Sequence, residues 1–269
     1  MTPVLAVEGL TKHFPIRRGV LARQVGSVRA VDGVSFHIEP GETLCVVGES
    51  GCGKSTVGRL ILRLEEPTAG TIALEGQEIS ALSRTAFRPL RQRLQIVFQD
   101  PYASLNPRMR AGNIVGEPLE NFGELSTAER REKVAELFGK VGLPKAAMER
   151  YAFEFSGGQR QRLGIARALA VAPQLIVADE PVSALDVSVQ AQVLNLMMDL
   201  KAEFGLAYLF ISHDLGVVEH VADRVAVMYL GQIVELGTRA DVFGNPRHPY
   251  TKALMSAAPQ PDPRAKRER

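Results

Sequence analysis

The alternation of apolar and polar positions predicts short buried strands separated by stretches with helical spacing. The clearest apolar runs are TLCVV (43–47), QIVF (95–98), QLIVA (174–178) and YLFIS (208–212), and a polar or glycine-rich turn follows each of them. Open parallel sheets bind their ligands at such turns, beyond the carboxyl ends of the strands. The pattern is typical of an α/β protein with a mostly parallel sheet.

Two regions depart from this alternation. The segments VLAVEGL, VRAVDGVSFHIEPGE and GTIALEGQEI are short and interrupted by turns, which predicts an antiparallel β subdomain in the first third of the chain. The intervening PIRRGVLARQVGSVRA predicts an extra hairpin. We interpret its arginines as a solvated face rather than a binding patch; they are Arg17, Arg18, Arg23 and Arg29.

A helical subdomain is predicted at about 101–165, inserted between two core strands. Ser126 and Glu129 have the spacing of a capping box, in which each side chain bonds the backbone N–H of the other residue. Apolar residues then recur with helical spacing at Val134, Leu137, Phe138 and Val141. The final PQPDPRAKRER is rich in proline and charge and is interpreted as a frayed tail.

Composition excludes several classes of protein. The chain has 269 residues, of which 45% are hydrophobic and 23% charged, and a formal net charge of +2. These values are ordinary for a globular protein and suggest no nucleic-acid partner. The two cysteines, Cys45 and Cys52, fit no zinc pattern and are expected to be reduced thiols. No secretory leader and no apolar run of about 18 residues is present, which predicts a cytosolic chain unless a partner brings it to a membrane.

The strongest chemical signal is GESGCGKST, which follows the strand TLCVV and precedes the helix-like VGRLILRL. It fits G-x-x-x-x-G-K-[ST] in the strand–loop–helix context that this phosphate-binding loop, or P-loop, requires. Its glycines allow a tight turn whose N–H groups point at phosphates, while Lys54 is expected to reach the β- and γ-phosphates and Ser55 to ligate Mg²⁺. The nucleotide-binding residues predicted here are Gly48, Glu49, Ser50, Gly51, Cys52, Gly53, Lys54, Ser55 and Thr56.

Two further segments carry candidate chemistry. In QLIVADEP, Asp179 ends a buried strand in the manner of a carboxylate that holds Mg²⁺ through water. Glu180 follows it, where a carboxylate can act as general base on an attacking water. In FSGGQRQRLGIARAL, Ser156 and two glycines precede a long helix and form a second anion site. A second anion site in one P-loop protein suggests that it serves another nucleotide or another subunit.

The sequence FSGGQ resembles the signature motif of ABC-type ATPases, with Phe155 where leucine is commoner. VFQD is similar to the Q-loop of that family, SALD to its D-loop and ISHD to its switch-histidine motif. With the P-loop and Asp179, six motifs stand in the family's order between residues 5 and 240. The chain is therefore identified as a member of this family, with residues 1–240 as the ATPase domain and 241–269 as a C-terminal extension.

This resemblance implies that ATP and Mg²⁺ are bound between two ATPase subunits packed head to tail. The signature and D-loop would contact the nucleotide of the other subunit, through Ser156, Gly157, Gly158, Gln159 and Asp186. His213 would hold the γ-phosphate, although a lone histidine after a strand is more often structural. Gln99 would sense the γ-phosphate through Mg²⁺ and the attacking water. Phe14 of LTKHF would stack on adenine, with a core role as the alternative.

Three features resemble the ATPases of dipeptide and oligopeptide importers, within a peptide/nickel group: the early hairpin, DPYASLNPRM after Gln99, and RHPYTKALMSAAP near the C-terminus. The resemblance implies a peripheral subunit on the cytoplasmic face of the membrane. Its partners would be a second ATPase chain, two membrane permeases and, indirectly, a solute-binding protein. The ATPase pair would be a heterodimer, with a homodimer possible. The segment Tyr102–Met109 is expected to help dock the permeases.

Other functions remain as alternatives. The same machinery could import nickel or another small solute, because specificity in such systems resides in other subunits. A soluble ABC ATPase acting on DNA or the ribosome is less favoured, since such relatives usually carry two cassettes or a long coiled-coil insertion. A GTPase is not supported, because the chain has no N-K-x-D motif.

Overall fold

The computed structural model describes residues 2–19, 23–123 and 125–257, which form two sheets and nine α-helices. The strands are β1 (Leu5–Arg18), β2 (Arg23–Ile38), β3 (Thr43–Val47), β4 (Ala69–Leu74), β5 (Gln77–Glu78), β6 (Leu94–Val97), β7 (Leu175–Asp179), β8 (Ala207–Ile211), β9 (Arg224–Tyr229) and β10 (Gln232–Thr238). The helices are α1 (Lys54–Ile61), α2 (Arg84–Phe87), α3 (Ala111–Phe122), α4 (Thr127–Lys140), α5 (Gly157–Leu169), α6 (Val187–Phe204), α7 (Leu215–Val221), α8 (Arg239–Gly244) and α9 (Pro249–Ala257).

The central sheet has the order β10-β9-β3-β8-β7-β6. Five adjacent strands are parallel to one another: β6, β7, β8, β3 and β9. Strand β10 pairs antiparallel with β9. The four apolar runs form β3, β6, β7 and β8, and every strand end lies within one residue of the expected bound, so the predicted parallel core is confirmed. Because β3, β7 and β8 lie side by side, the loops that follow them meet at one edge of the sheet.

Each face of this sheet is buried in a separate core. Along β3, Leu44 and Val46 belong to the core shared with α1 and the antiparallel sheet, whereas Cys45 and Val47 belong to the core shared with helices α3 to α7. The same alternation follows from the two-residue period of a strand. Burial on both faces explains why the strands are nearly continuous apolar runs, the usual pattern in parallel sheets covered by other layers.

The predicted antiparallel subdomain is a four-stranded sheet with the order β2-β1-β4-β5. Strands β1 and β2 form a long hairpin whose pairing extends from Leu5 opposite Ile38 to Arg18 opposite Arg23, which confirms the predicted hairpin. Residues 20–22 at its tip lie outside the described part of the chain. Several register shifts interrupt the ladder, as β-bulges do.

The predicted helical insertion lies between β6 and β7 and consists of α3, α4 and α5. Ser126 and Glu129 form the expected capping box at the start of α4, and Val134, Leu137 and Phe138 of that helix are buried. Residues 101–109 form turns, and the first helix of the insertion begins at Ala111. The predicted frayed tail falls on residues 258–269, which are not described.

Among the described residues, no helix combines the length and the apolar character that a bilayer crossing demands. Cys45 and Cys52 are both buried free thiols, as the sequence suggested.

Candidate functional site

The P-loop connects β3 to α1 through backbone conformations that favour glycine. Gly48, Gly51 and Gly53 have φ values of 150°, 82° and 111°. A Cβ on Gly48 would lie 2.2 Å from the Met228 carbonyl oxygen, and one on Gly53 would lie 2.0 Å from that of Ala30. Neither contact is sterically possible, so the loop can pack this closely against β2 and β9 only with glycine at these two positions.

Lys54 places a buried positive charge inside the loop. Lys54 is the first residue of α1 and is 4% exposed. The Nζ donates hydrogen bonds of 2.8 Å to the carbonyl oxygens of both Gly48 and Glu49. Together with the positive end of the α1 dipole, this ammonium makes the loop a strong anion site.

Ser55 and Asp179 provide paired oxygen ligands beside Lys54. The Ser55 hydroxyl donates a 2.8 Å hydrogen bond to Asp179 Oδ1. Burial raises the pKa of the Asp179 carboxyl, and the charge of Glu180 adds to this, while the Ser55 hydrogen bond opposes it. A hydroxyl next to a partly desolvated carboxylate fits a hard divalent cation such as Mg²⁺. Because the described residues hold no cluster of three or more His, Cys, Asp or Glu, such a cation would need phosphate and water as its other ligands.

Glu180 is held between two side chains from neighbouring strand ends. Gln99 Nε2 donates to Glu180 Oε2 at 3.0 Å, and His213 Nδ1 lies 3.0 Å from Glu180 Oε1. Glu180 itself has φ of 46°, and its N–H donates to the Ile211 carbonyl oxygen at 2.9 Å. A left-handed glutamate is strained, and such strain is concentrated at functional sites. Gln99, Glu180 and His213 follow β6, β7 and β8, so the sheet brings all three together.

These groups face an open pocket of about 880 Å³. Its lining comprises Val28, Arg29, Ala30, Ser50, Gly51, Cys52, Gly53, Lys54, Ser55, Thr56, Gln99, Glu180, His213, Leu230 and Gly231. Most of the residues predicted from the P-loop, Q-loop and switch motifs therefore meet at one site. Gly48 and Glu49 lie behind the lining and shape the loop, and Asp179 lies behind Ser55. Lys54 and Arg29 give the pocket a positive wall suited to phosphates.

Phe14 is not part of the pocket lining. It lies directly opposite Val28 in the β1–β2 pairing, and Val28 does line the pocket. Directly opposed residues in an antiparallel pair point to the same face, so Phe14 is at the margin of the pocket. Phe14 is 36% exposed, and its ring centroid lies 5.0 Å from Lys12 Nζ. The alternative of a core role for Phe14 does not match this exposure.

Two further segments line the pocket, and no motif in the sequence marks them as part of it. Val28, Arg29 and Ala30 come from β2, and Leu230 and Gly231 from the turn between β9 and β10. The sequence marks the β2 residues only through the positively charged hairpin, whose arginines we interpret as a solvated face, and it gives no signal for Leu230 and Gly231. That interpretation is incomplete for Arg29: its side chain is exposed but lines the pocket, 3.5 Å from the Asp32 carboxylate.

The signature and D-loop residues lie together, away from this pocket. Ser156 caps α5 and forms a capping box with Gln159, with hydrogen bonds of 3.3 and 3.1 Å. Asp186 caps α6 by accepting the Val189 N–H at 3.0 Å. A Cβ on Gly158 would lie 2.4 Å from Val189 Cγ1, so Gly158 allows the two helix starts to touch. Gly157 lies against Leu185 in the same contact. None of the four signature residues or Asp186 lines the P-loop pocket.

Comparisons with known proteins show the family to which the chain belongs. Residues 31–183 match the family "ABC transporter", and residues 234–269 match "Oligopeptide/dipeptide transporter, C-terminal region". The chain is 60% identical to the probable peptide ABC transporter ATP-binding protein y4tS of Sinorhizobium fredii, over 97% of this chain and 74% of that protein. It is 56% identical to the dipeptide transport ATP-binding protein DppF of Escherichia coli, over 99% of this chain and 80% of that protein.

Solved structures show the same fold. CbiO1 of Clostridium perfringens, part of the ABC transporter complex cbiONQ, superposes with a TM-score of 0.79 at 26% identity, covering 91% of this chain and 92% of that one. The ATP-binding cassette MJ0796, a dimer bound to ADP and Pi after hydrolysis, gives 0.77 at 28% identity, covering 87% and 98%. This chain therefore belongs to the ABC transporter family as an ATP-binding, ATP-hydrolysing protein, in the branch that carries the C-terminal region of oligopeptide and dipeptide transporters.

Proposed function

We propose that the chain is the ATPase subunit of a membrane importer for dipeptides or oligopeptides. The observation that carries the proposal is the placement of Glu180 between Gln99 and His213, at the mouth of a P-loop whose buried Lys54 is ready to bind phosphate. This arrangement supports hydrolysis of a bound ATP. Glu180 accepts a proton from the attacking water, and Gln99 and His213 hold the carboxylate in place.

Within the pocket, each predicted residue has a distinct task. The P-loop N–H groups and Lys54 bind the β- and γ-phosphates, and His213 reaches the γ-phosphate. Ser55, Asp179 and Gln99 are the oxygen donors that would hold Mg²⁺, which supplies charge neutralisation to the phosphates when bound. Phe14 and Val28, side by side on the hairpin, form the apolar margin against which the adenine packs.

A second ATPase subunit completes the site. The N–H groups of Ser156 and Gln159 are used in the capping box of α5. The Ser156 O–H and the N–H groups of Gly157 and Gly158 are the donors at this helix start that can face an anion, and Asp186 caps α6 beside them. These two helix starts cap the nucleotide of a partner packed head to tail. A heterodimer is the assembly we favour, because ATPase pairs of the peptide-importer type commonly combine distinct chains. Closure on ATP and reopening after hydrolysis drive the transport cycle.

The membrane permeases dock in a groove next to Gln99. This groove of about 450 Å³ lies between the sheet and the helical insertion, and its apolar walls include Leu62, Leu64, Ile96, Phe98 and Phe122. Leu64 and Phe98 are exposed, as an unoccupied docking surface requires. Docking here places the chain peripherally on the cytoplasmic face of the inner membrane.

The segment after Gln99 contributes less to docking than the sequence suggested. Leu105 is buried, so its side chain is not available to a permease, and Met109 is half-buried against the same core. Tyr102 is exposed and stacks under Arg160 of α5, 3.7 Å from its guanidinium. Gln161 of the same helix donates to the Phe98 carbonyl oxygen at 3.3 Å. These contacts tie the docking groove to the signature helix, which lets γ-phosphate binding and permease movement affect one another.

Peptides are the solute we favour, because the C-terminal match and the names of the relatives agree on that class. The test is uptake of a labelled dipeptide and a labelled tetrapeptide by cells that express this chain with its permeases and solute-binding protein and lack other peptide importers. Cells with Glu180→Gln are the control. Glu180-dependent peptide uptake supports the proposal. Uptake of nickel but of neither peptide, under the same control, would contradict it.

A further inference from the structure

The C-terminal helix α9 contacts the P-loop through one side chain. The backbone N–H of Glu49 donates a 3.1 Å hydrogen bond to the hydroxyl oxygen of Tyr250, the tyrosine of the sequence HPYT. The Tyr250 ring packs against Tyr229 at the end of β9, with ring centroids 4.3 Å apart. Burial raises the pKa of Tyr250, so its hydroxyl stays neutral at physiological pH.

The position of Tyr250 is set by contacts that do not involve the P-loop. The carboxylate of Glu235 in β10 accepts the N–H groups of Arg247 and His248 at 2.8 and 3.0 Å. His248 Nδ1 in turn accepts the N–H of Tyr250 at 3.2 Å. Leu254 and Met255 further along α9 pack against the core on the helical side of the sheet. Tyr250 is thus presented by a segment anchored to the sheet.

The residue it contacts is held from two sides. The carbonyl oxygen of Glu49 accepts from Lys54 inside the loop, and its N–H donates to Tyr250 outside the loop. When Lys54 turns from these carbonyls to the phosphates of a nucleotide, the hydrogen bond to Tyr250 still holds this part of the loop. The order of the loop with nucleotide bound then depends on α9.

We propose that Tyr250 is a positioning residue for the nucleotide: its hydroxyl oxygen fixes the start of the P-loop and thereby raises ATP affinity. The proposal rests on the proposed function, because it takes the P-loop pocket as the ATP site. It assigns a role to the HPYT segment that the P-loop, signature and switch motifs leave unexplained. Tyr250 does not touch the reacting atoms, so the effect falls on binding and leaves the hydrolytic step unchanged.

The test compares Tyr250→Phe with Tyr229→Phe in the full chain. Both variants keep the aromatic pair and lose one hydroxyl, and the Tyr229 hydroxyl makes no hydrogen bond within the described residues. One neutral hydrogen bond is worth about a 2- to 10-fold change in affinity. We expect Tyr250→Phe to raise the Kd and KM for ATP by this factor with kcat unchanged, and Tyr229→Phe to leave the Kd unchanged. Glu235→Gln, which weakens the anchor of the segment, should raise the Kd in the same direction.

Amide exchange of Glu49, measured by NMR without nucleotide, separates this inference from the proposed function. We expect faster exchange at Glu49 in Tyr250→Phe than in the wild type or Tyr229→Phe. An unchanged exchange rate would overturn the inference, because the Tyr250 hydroxyl would then not stabilise the loop at Glu49. Faster exchange with an unchanged ATP Kd would also overturn it. If the wild type bound no ATP at all, the proposed function would fail, and the inference about ATP affinity would fail with it. The exchange rate at Glu49 would still show whether the hydrogen bond to Tyr250 forms.

Discussion

The Ser55 hydroxyl donates to the Asp179 carboxylate over 2.8 Å, and this hydrogen bond joins the first turn of α1 to the carboxyl end of β7. It connects two segments that are 124 positions apart in the chain. Because Asp179 is partly desolvated, its negative charge lowers the free energy of unfolding, and a bound cation would offset this loss. A site prepared in this way binds a cation at the expense of stability.

We expect Asp179→Asn to stabilise the chain at neutral pH while removing Mg²⁺-dependent ATP hydrolysis. The folded-state pKa of Asp179 is raised, so folding favours its protonated form, and stability is lost as the pH rises through that pKa. The asparagine removes this loss and keeps an acceptor for Ser55. The expected increase in Tm at pH 7 is about 2–4 °C, the size of an effect of about 1 kcal/mol in a chain of this length. Thermal unfolding without Mg²⁺ at several pH values measures it. The Tm values of the two proteins should converge at acidic pH, where Asp179 is protonated. A lower Tm for the variant at pH 7 would contradict the prediction.

Glu180→Gln should reduce kcat by about 10²–10⁴-fold, because it removes a general base and keeps the side-chain shape. Gln99 can still donate to the remaining amide oxygen, so we expect the Kd for ATP to stay close to the wild-type value. Single-turnover hydrolysis and nucleotide titration measure the two quantities. Glu203→Gln, at an exposed carboxylate paired with Lys140, is the matched control. Near-normal turnover in Glu180→Gln would assign the base elsewhere.

Lys54→Ala should act on binding rather than on the chemical step. The variant removes the buried ammonium and both of its hydrogen bonds to the loop carbonyls. It thereby also removes the bond that Lys54 would make to a phosphate, and one hydrogen bond from a charged group is worth about 1.5–3 kcal/mol, so we expect the Kd for ATP to rise by roughly 10²-fold. Equilibrium titration in the absence of Mg²⁺ measures it. An unchanged Kd would show that the phosphates do not bind at this loop.

Ser156→Asp should separate the two roles of the signature serine. Aspartate caps a helix as well as serine does, so α5 and the Tm should be unaffected. Its negative charge would face the γ-phosphate of a partner subunit and prevent ATP-dependent association. Sedimentation of the chain in a Glu180→Gln background, with and without ATP, tests this. Ser126→Asp makes the same change at the matching capping box of α4 and should leave association intact. Equal association of the two variants would refute the head-to-tail arrangement.

Leu64→Asp should uncouple transport from hydrolysis. Leu64 is 55% exposed in the docking groove, so a charge there is tolerated by the fold but not by an apolar partner surface. We expect uptake by the assembled transporter to fall at least about tenfold, the effect of about 1.4 kcal/mol, while the isolated chain keeps its ATPase rate. Leu236→Asp, at an exposed leucine of β10 outside the groove, is the control. Normal uptake with Leu64→Asp would place the docking surface elsewhere.

Local chemistry in the sequence was enough to predict the parallel core, the hairpin, the helical insertion and the capping box of α4. Each depends on neighbouring residues: an apolar run buried on both faces, or a Ser and a Glu three positions apart. The P-loop was also predictable from its own residues, because the positive φ values at Gly48 and Gly53 favour glycine. The close approach of Met228 and Ala30, which leaves no room for a Cβ at these two positions, belongs to the tertiary structure. The resemblance of the motifs to the ABC family supplied the roles expected of Gln99, Glu180 and His213.

Contacts between distant segments were decided only by the tertiary structure. Val28, Arg29 and Leu230 line the pocket because the hairpin and the β9–β10 turn meet there, and no local pattern marks that meeting. Leu105 is buried although its loop reads as exposed, because the adjacent helices cover it. Tyr250 reaches Glu49 across 201 positions of the chain. A sequence pattern indicates which side chains prefer burial, whereas the residues that they contact depend on how the layers of the fold pack together.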